Sequence, residues 1–440
     1  MVQSEYPIHQ LPAIFQRFVR EVGAEHWLNV IEKNKTRSQN NPFLASYLSR
    51  QHTHAHQMLA IQRELTEHRT IRPQFVGQAY EGFSLMLQTL SIIDADPGYA
   101  PKLLARVRDA FQRPDKMRAL LLEYLTAVHL RSRRYVFAWP DIEDQTKSAC
   151  DFRITNLDKP INIDCKSIGE DTGRRVSQWS SGLLFGSLKK EIDPLIKGLT
   201  TGLSIRITLP GKLSDDQHLH KELAIQVAKA ILDGKDRKLA DSTMIEFGKF
   251  EPDECRAADS LPRGDLRTLF DRLSGTRNAN VIVHETPAGG AVLMAVQSAQ
   301  RSRLIDSVVE TLKECAAHQL PPDQPGIIVV GLQLRPGAIR SFYEEAARTN
   351  RPNAFHRLSK KFWQSGKRNH VIALIFTETG NFKETALGQM SAIGQVYVFK
   401  NAKSPHWTPH AAQIFGDPNK LVRGDYRDAQ SRPLHPGQQK

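Results

Sequence analysis

SACDFRITNLDKPINIDCKSI, running from Ser148 to Ile168, reads as two short β-strands joined by a turn. Cys150, Phe152 and Ile154 alternate with Asp151, Arg153 and Thr155, and Ile161, Ile163 and Cys165 alternate with Asn162, Asp164 and Lys166. Alternation at period two is the signature of half-buried strands, and Asn156, Asp158 and Pro160 supply the turn between them. Asp164 and Lys166 are two residues apart, so their side chains leave one face of the second strand while Ile163 and Cys165 leave the other. If the strands pair, Asp151 comes beside them, and carboxylates a few Å apart repel unless a cation sits between them. Oxygen ligands of this kind suit a hard divalent metal, with Mg²⁺ as the expected occupant.

These residues resemble the PD-(D/E)xK nucleases of the restriction-endonuclease-like superfamily. The resemblance covers about the middle third of the chain and consists of Asp151, then Asp164-Cys165-Lys166, with Glu123 on a preceding helix. Cys150 stands where the family name puts proline, a position often substituted. Two further D-x-K matches, Asp233/Lys235 and Asp236/Lys238, lie in DGKDRK at the expected end of a helix, where a solvated charge run explains them. Only Asp164/Lys166 ends an apolar alternating strand with a second acidic strand before it. Some family branches carry glutamine and tyrosine four apart on the following helix; here Gln178 is followed at that offset by Gly182.

The resemblance implies a Mg²⁺-dependent nuclease, with Mn²⁺ able to substitute. Asp151, Asp164, the backbone carbonyl of Cys165 and Glu123 would bind the metal, and Lys166 would position or deprotonate the attacking water. Cleavage would be hydrolytic, DNA the substrate, and a bacterial restriction or anti-phage defence system the setting. As a polar-face residue, Lys166 should be removable at little cost in stability. Two other readings stand beside this one. In the first the fold is a non-catalytic nucleic-acid-binding subunit with vestigial acids; in the second it is a scaffold whose basic faces pair with an acidic protein.

The 440 residues are too many for one ordinary core, so two or three domains are expected. A formal net charge of +13 favours a polyanionic partner, either nucleic acid or an acidic surface. The four cysteines, Cys150, Cys165, Cys255 and Cys315, have no C-x-x-C spacing, which argues against a zinc ribbon and for a reducing compartment. No basic start leads into a long apolar core and no run approaches about 18 apolar residues, so a cytoplasmic location away from membranes is expected.

The organisation expected is an all-helical N-terminal domain over residues 1–105 and an α/β domain over 106–410. The latter is a mixed sheet flanked by helices with its catalytic core at about 115–235, and a disordered tail follows over 411–440. Ile14, Phe15, Phe18, Val19 and Val22 repeat at helical spacing, and the N-terminal domain is assigned docking, homo-oligomerisation or substrate clamping. His52, His54 and His56 alternate on a helix, where successive members point about 200° apart, so they read as a solvated polar face.

Helix from about Asp115 to Arg133, strand over Tyr135–Trp139, then the two acidic strands is the order the family uses. Beyond the hairpin, Arg174 and Arg175 in a polar loop are candidates for phosphate contact. The stretch Arg348–Arg368 sets Lys360, Lys361, Lys367 and Arg368 among Phe355, Phe362 and Trp363, which suits backbone tracking with aromatic stacking on nucleic acid; an amphipathic helix with buried aromatics is the alternative. There is no P-loop, no dinucleotide fingerprint and no nucleophile elbow, so any ATPase motor would be a separate subunit.

Overall fold

The structure is a computed structural model that describes residues 8–143, 149–169, 171–256, 263–276, 279–301, 303–332, 354–378, 381–386, 389–393, 396–407 and 413–415. Thirteen strands occur among the described residues: β1 (Phe137–Ala138), β2 (Phe152–Ile154), β3 (Ile161–Ile168), β4 (Gly202–Leu209), β5 (Arg237–Lys238), β6 (Met244–Phe250), β7 (Asn280–Glu285), β8 (Ala291–Ser298), β9 (Gly326–Leu332), β10 (Val371–Glu378), β11 (Asn381–Ala386), β12 (Gln389–Ile393) and β13 (Val396–Lys400). The chain divides into two compact units, one of residues 1–31, 52–172 and 305–440, the other of 32–51 and 173–304. It is α/β, with an N-terminal helical region and mixed sheets flanked by helices.

The first unit is built on a six-stranded sheet in the order β1-β2-β3-β9-β10-β13. The expected hairpin is present: β2 pairs antiparallel with β3, Phe152 opposite Ile163, and the same register continued by one residue puts Asp151 opposite Asp164. β3, β9 and β10 run parallel, and strands covered on both faces need apolar residues at every position. GIIVVGL of β9 meets that need, with all seven residues buried.

One face of this sheet carries Ile163, Cys165, Ile327 and Val329 into a core shared with the N-terminal helices, from Phe15 and Phe18 through Met58 and Leu85 to Leu120 and Tyr124. Helix Pro114–Ser132 approaches so closely that a Cβ at Gly331 would stand 3.0 Å from Leu122. The other face carries Asp164, Ile328, Val330 and Phe376. It is covered by helix Leu304–His318, through Cys315 and through Ala316 to His370, and by helix Ala354–Trp363, whose Phe355 stacks on Phe376 at 4.8 Å.

That common core revises the expected boundary near residue 105. Leu103, Leu104, Val107 and Phe111 belong to the same cluster as residues on both sides of it, so the helices are one layer of the α/β unit and not a domain apart. The strand expected over Tyr135–Trp139 shortens to Phe137–Ala138. Arg134, at φ 66°, turns the chain back so that the Tyr135 N–H donates to the Leu130 carbonyl, and Pro140 opens a short helix. His54 is buried, so the histidine string is not a wholly solvated face.

The second unit has a five-stranded sheet in the order β5-β6-β4-β8-β7, with β7 and β8 forming an antiparallel hairpin. Helices Gln178–Ile196 and Gln217–Asp233 pack on one face through Leu184, Leu188, Ala224 and Val227 against Ile205, Val292 and Met294. Each begins with a capping side chain, Ser177 and Asp216. Gly182 and Gly186 have a packing role: a Cβ at either would lie 2.6 Å from Leu44 and 2.4 Å from Asn41, and the Asn41 amide donates to the Gly182 carbonyl at 2.9 Å. Among the described residues no helix is long and apolar enough to cross a membrane. Residues 333–353 and nearly all of the tail lie outside the described residues.

Candidate functional site

Four carboxylates converge in the first unit, where the start of the hairpin meets two helices. Asp151 immediately precedes β2, and its Oδ2 accepts a 2.6 Å hydrogen bond from the Cys165 N–H on β3. Glu123 projects from helix Pro114–Ser132, is 6% exposed, and is thus no solvent-facing helix residue. Asp141 sits on the short helix Pro140–Glu143. A ligand oxygen from each of Glu123, Asp141 and Asp151 lies within 4.8 Å of the other two. Asp164 stands beside this trio, wholly buried, and its charge acts on both Glu123 and Asp151.

The polar face predicted for β3 is present. Lys166 Nζ lies 2.6 Å from Asp164 Oδ2, which also accepts a 3.0 Å hydrogen bond from the Cys315 thiol. Asp164 Oδ1 is buried with no hydrogen-bond partner, and so is Asp141 Oδ1. Cys165 turns its thiol to the opposite face, 3.6 Å from the Thr126 hydroxyl. In a strand the N–H and C=O of one residue leave on the same side. The Cys165 carbonyl therefore points the way its N–H does, towards Asp151, which keeps it available as the expected backbone ligand.

Arg106, on helix Ala100–Gln112, is the second cation. Its guanidinium donates one nitrogen to Glu123 Oε2 and another to Asp141 Oδ2, the latter at 3.1 Å. The structure therefore adds Asp141, Arg106 and Cys315 to the residues expected from sequence. Asp141 carried a faint signal in the acidic run WPDIED directly after the first strand; Arg106 and Cys315 carried none.

Burial is the leading force on every acid here. It holds Asp151 well above the usual carboxylate range, reinforced by the charges of Glu123 and Asp164. It pushes Glu123 up to about 7 against the pull of Arg106, and it raises Asp141 and Asp164. For Lys166 burial acts the other way, but the charge of Asp164 and the hydrogen bond to it outweigh burial and keep the ammonium protonated. With an ammonium and a thiol both on Oδ2, the ion pair is the state assigned to Asp164 and Lys166. Desolvation also keeps the Cys315 and Cys150 thiols neutral, the latter pushed up to about 12. Among the described residues, four carboxylates thus face two permanent cations. Two formal negative charges remain, to be met by protons or by one divalent ion.

The nucleic-acid candidates fall in several places. Lys360 and Lys367 are exposed. Lys361 forms an ion pair with Asp306, and Arg368 is held to the Phe362 carbonyl at 2.9 Å with its guanidinium over the Phe362 ring. Of the two readings of the aromatics, the amphipathic helix with its aromatics buried is the one present. Phe355 and Phe362 are buried and Trp363 donates its indole N–H to the Val371 carbonyl, because this helix uses its aromatic face to cover the sheet. Arg174 and Arg175 belong to the second unit, where Arg174 reaches Asn280 at 3.5 Å. Arg348 and Arg351 lie outside the described residues.

Compared with protein-family models, curated sequences and solved structures, the chain matches none of them.

Proposed function

We propose that this chain is a divalent-metal-dependent nuclease that hydrolyses phosphodiester bonds in DNA on a restriction-endonuclease-like core. The observation that carries the reading is the charge of the buried cluster: Glu123, Asp141, Asp151 and Asp164 exceed Arg106 and Lys166 by two. Ionised carboxylates removed from water are stable only when paired or metal-bound. The donor set fits Mg²⁺ or Mn²⁺, since all of it is oxygen and two of its oxygens, Asp141 Oδ1 and Asp164 Oδ1, are buried without a partner. Glu123, Asp141, Asp151, Asp164 Oδ1 and the Cys165 carbonyl would hold the ion, which supplies a Lewis acid and a water of lowered pKa when bound.

Lys166 performs the step that separates a nuclease from a metal-binding hairpin. Its ammonium is anchored by Asp164 yet 22% exposed, so it can donate to a water and to a phosphate oxygen at the same time. Because the surrounding carboxylates hold its pKa above the usual lysine range, it acts as a hydrogen-bond donor and charge stabiliser, and proton abstraction by Lys166 is disfavoured. Cys315 and Lys166 together fix the orientation of Asp164, leaving Oδ1 free. The exposed Lys360 and Lys367, with the overall charge of +13, supply attraction to a polyanion.

The full chain should be incubated with supercoiled plasmid, linear duplex and single strands in EDTA, Mg²⁺, Mn²⁺ and Ca²⁺. Cleavage to 5′-phosphate ends is expected with Mg²⁺ or Mn²⁺ alone. Cleavage that persists in EDTA, or a chain that neither binds Mn²⁺ nor cuts, would overturn the reading.

A further inference from the structure

Arg106 holds an unusual position for a counter-ion. Its two terminal nitrogens contact different acids, Glu123 and Asp141, which are two of the three groups whose oxygens close to within 4.8 Å. The contact is also braced. On the same helix, Lys102 donates to the Ile142 carbonyl at 2.7 Å, and Tyr99, just before its start, hydrogen-bonds Glu143. Both tie Arg106's helix to the turn that carries Asp141. On the Glu123 side, the hydroxyl of the neighbouring Tyr124 donates to the Leu103 carbonyl at 3.1 Å. A guanidinium does not lose its proton at any pH a protein survives, and the surrounding acids raise its pKa further against burial.

We propose that Arg106 permanently fills the place a second divalent ion would take, which makes the acidic pocket a one-metal site. The inference rests on the metal reading given above. Two metal ions about 4 Å apart need enough carboxylate charge to offset their mutual repulsion. With Arg106 in place the cluster has two uncompensated charges, matching one divalent ion; without Arg106 it has three, and the oxygens of Glu123 and Asp141 that now face the guanidinium become free. The orphaned Asp164 Oδ1, on a side chain with no exposure, is an acceptor beside the trio that a single ion would satisfy. In a one-metal site no second metal ion faces the scissile phosphate, and Lys166, partly exposed beside Asp164, is left to donate to it.

The test is Mn²⁺ stoichiometry on the full chain, by titration calorimetry and by electron paramagnetic resonance, where two neighbouring Mn²⁺ ions give an exchange-coupled spectrum. Wild type should bind one Mn²⁺ per chain with an uncoupled signal. Arg106→Gln should bind a second with coupling, and Arg106→Lys, which keeps the charge, should stay at one. Two coupled ions in wild type would overturn the inference, as would a folded Arg106→Gln that still binds one. A wild-type chain that binds no Mn²⁺ would instead overturn the metal reading and this inference with it. The wild-type stoichiometry decides even if Arg106→Gln does not fold.

Discussion

Replacing Asp151 with asparagine separates a metal site from an ordinary buried hydrogen-bond network. The amide is an uncharged copy of the protonated acid and still offers an oxygen to the Cys165 N–H, so packing and the 2.6 Å hydrogen bond are kept. Only one negative charge is lost. At the 4.8 Å that bounds the trio, two full charges repel by about 3 kcal/mol at an effective dielectric constant of about 20. Burial, Glu123, Asp164 and Asp141 all act against the charge on Asp151, and Lys166 and Arg106 offset part of it, so that charge costs the metal-free protein on the order of 3 kcal/mol when it is present. The raised pKa of Asp151 sets the sign: its stabilising contribution is full below the unfolded value of about 4 and is lost as pH rises through the folded value. Melting in EDTA should therefore give similar midpoints for wild type and Asp151→Asn near pH 4. By pH 9 the variant should melt about 5 °C or more higher, on the scale of a few degrees per kcal/mol for a unit of this size. Saturating Mn²⁺ at about 100 times its Kd should raise wild type by about 3 kcal/mol and the variant hardly at all. A variant destabilised equally at every pH, with Mn²⁺ stabilising both chains alike, would refute the reasoning.

Glu123→Gln should flatten the pH dependence of stability in EDTA. Protonated Glu123 stabilises fully below about 4.5 and loses that effect as pH rises to about 7, a ceiling on the order of 3 kcal/mol, and denaturant titrations from pH 5 to 8 would read it. Lys166→Ala should keep Mn²⁺ binding and lose cleavage by about 10²-fold or more in a time course. Its removal is not the mild surface change expected from sequence, because Asp164 is wholly buried: at pH 8 the lost partner should cost up to about 3 kcal/mol in thermal melts, and less in acid where Asp164 takes a proton. The double change Lys360→Glu and Lys367→Glu should lower the log–log salt slope of DNA binding by about two units in anisotropy titrations, while cleavage at saturating DNA stays unchanged.

What was legible in the sequence follows from the range over which each feature is set. The hairpin could be read because period-two alternation is local, and Asp164 and Lys166 share a face by the pleat alone. Glu123 could be placed only through the resemblance, since on a helix buried nearly all round no periodicity marks it. Asp141 was hidden because its turn is positioned from outside, by the Trp139 indole donating to Asp96 at 3.2 Å and by Lys102. Arg106 falls at the expected boundary after residue 105, and nothing local in the sequence shows that the apolar face of its helix continues the sheet's core. Cys315 lies 151 residues from Asp164 and meets it only through the parallel pairing that brings helix Leu304–His318 over β3. The aromatics of Ala354–Trp363 left two readings open because composition does not say which face of a basic helix is inside.

The same contrast bears on why the cluster exists. A buried position beside β2 and β9 could be filled by an apolar residue at no electrostatic cost, and buried ion pairs often stabilise less than hydrophobic replacements of similar volume. Asp164 instead is charged, wholly buried and half-satisfied, with three more carboxylates within electrostatic reach. The apo fold bears this strain through protons, which is what the upward shifts of Glu123, Asp141 and Asp151 express together. A divalent cation meets the same two charges without neutralising the oxygens that must act as ligands. Proton and metal are then alternative occupants of one site, so metal binding should release protons in the range where Glu123 titrates. A cluster built only for structure has no use for that exchange.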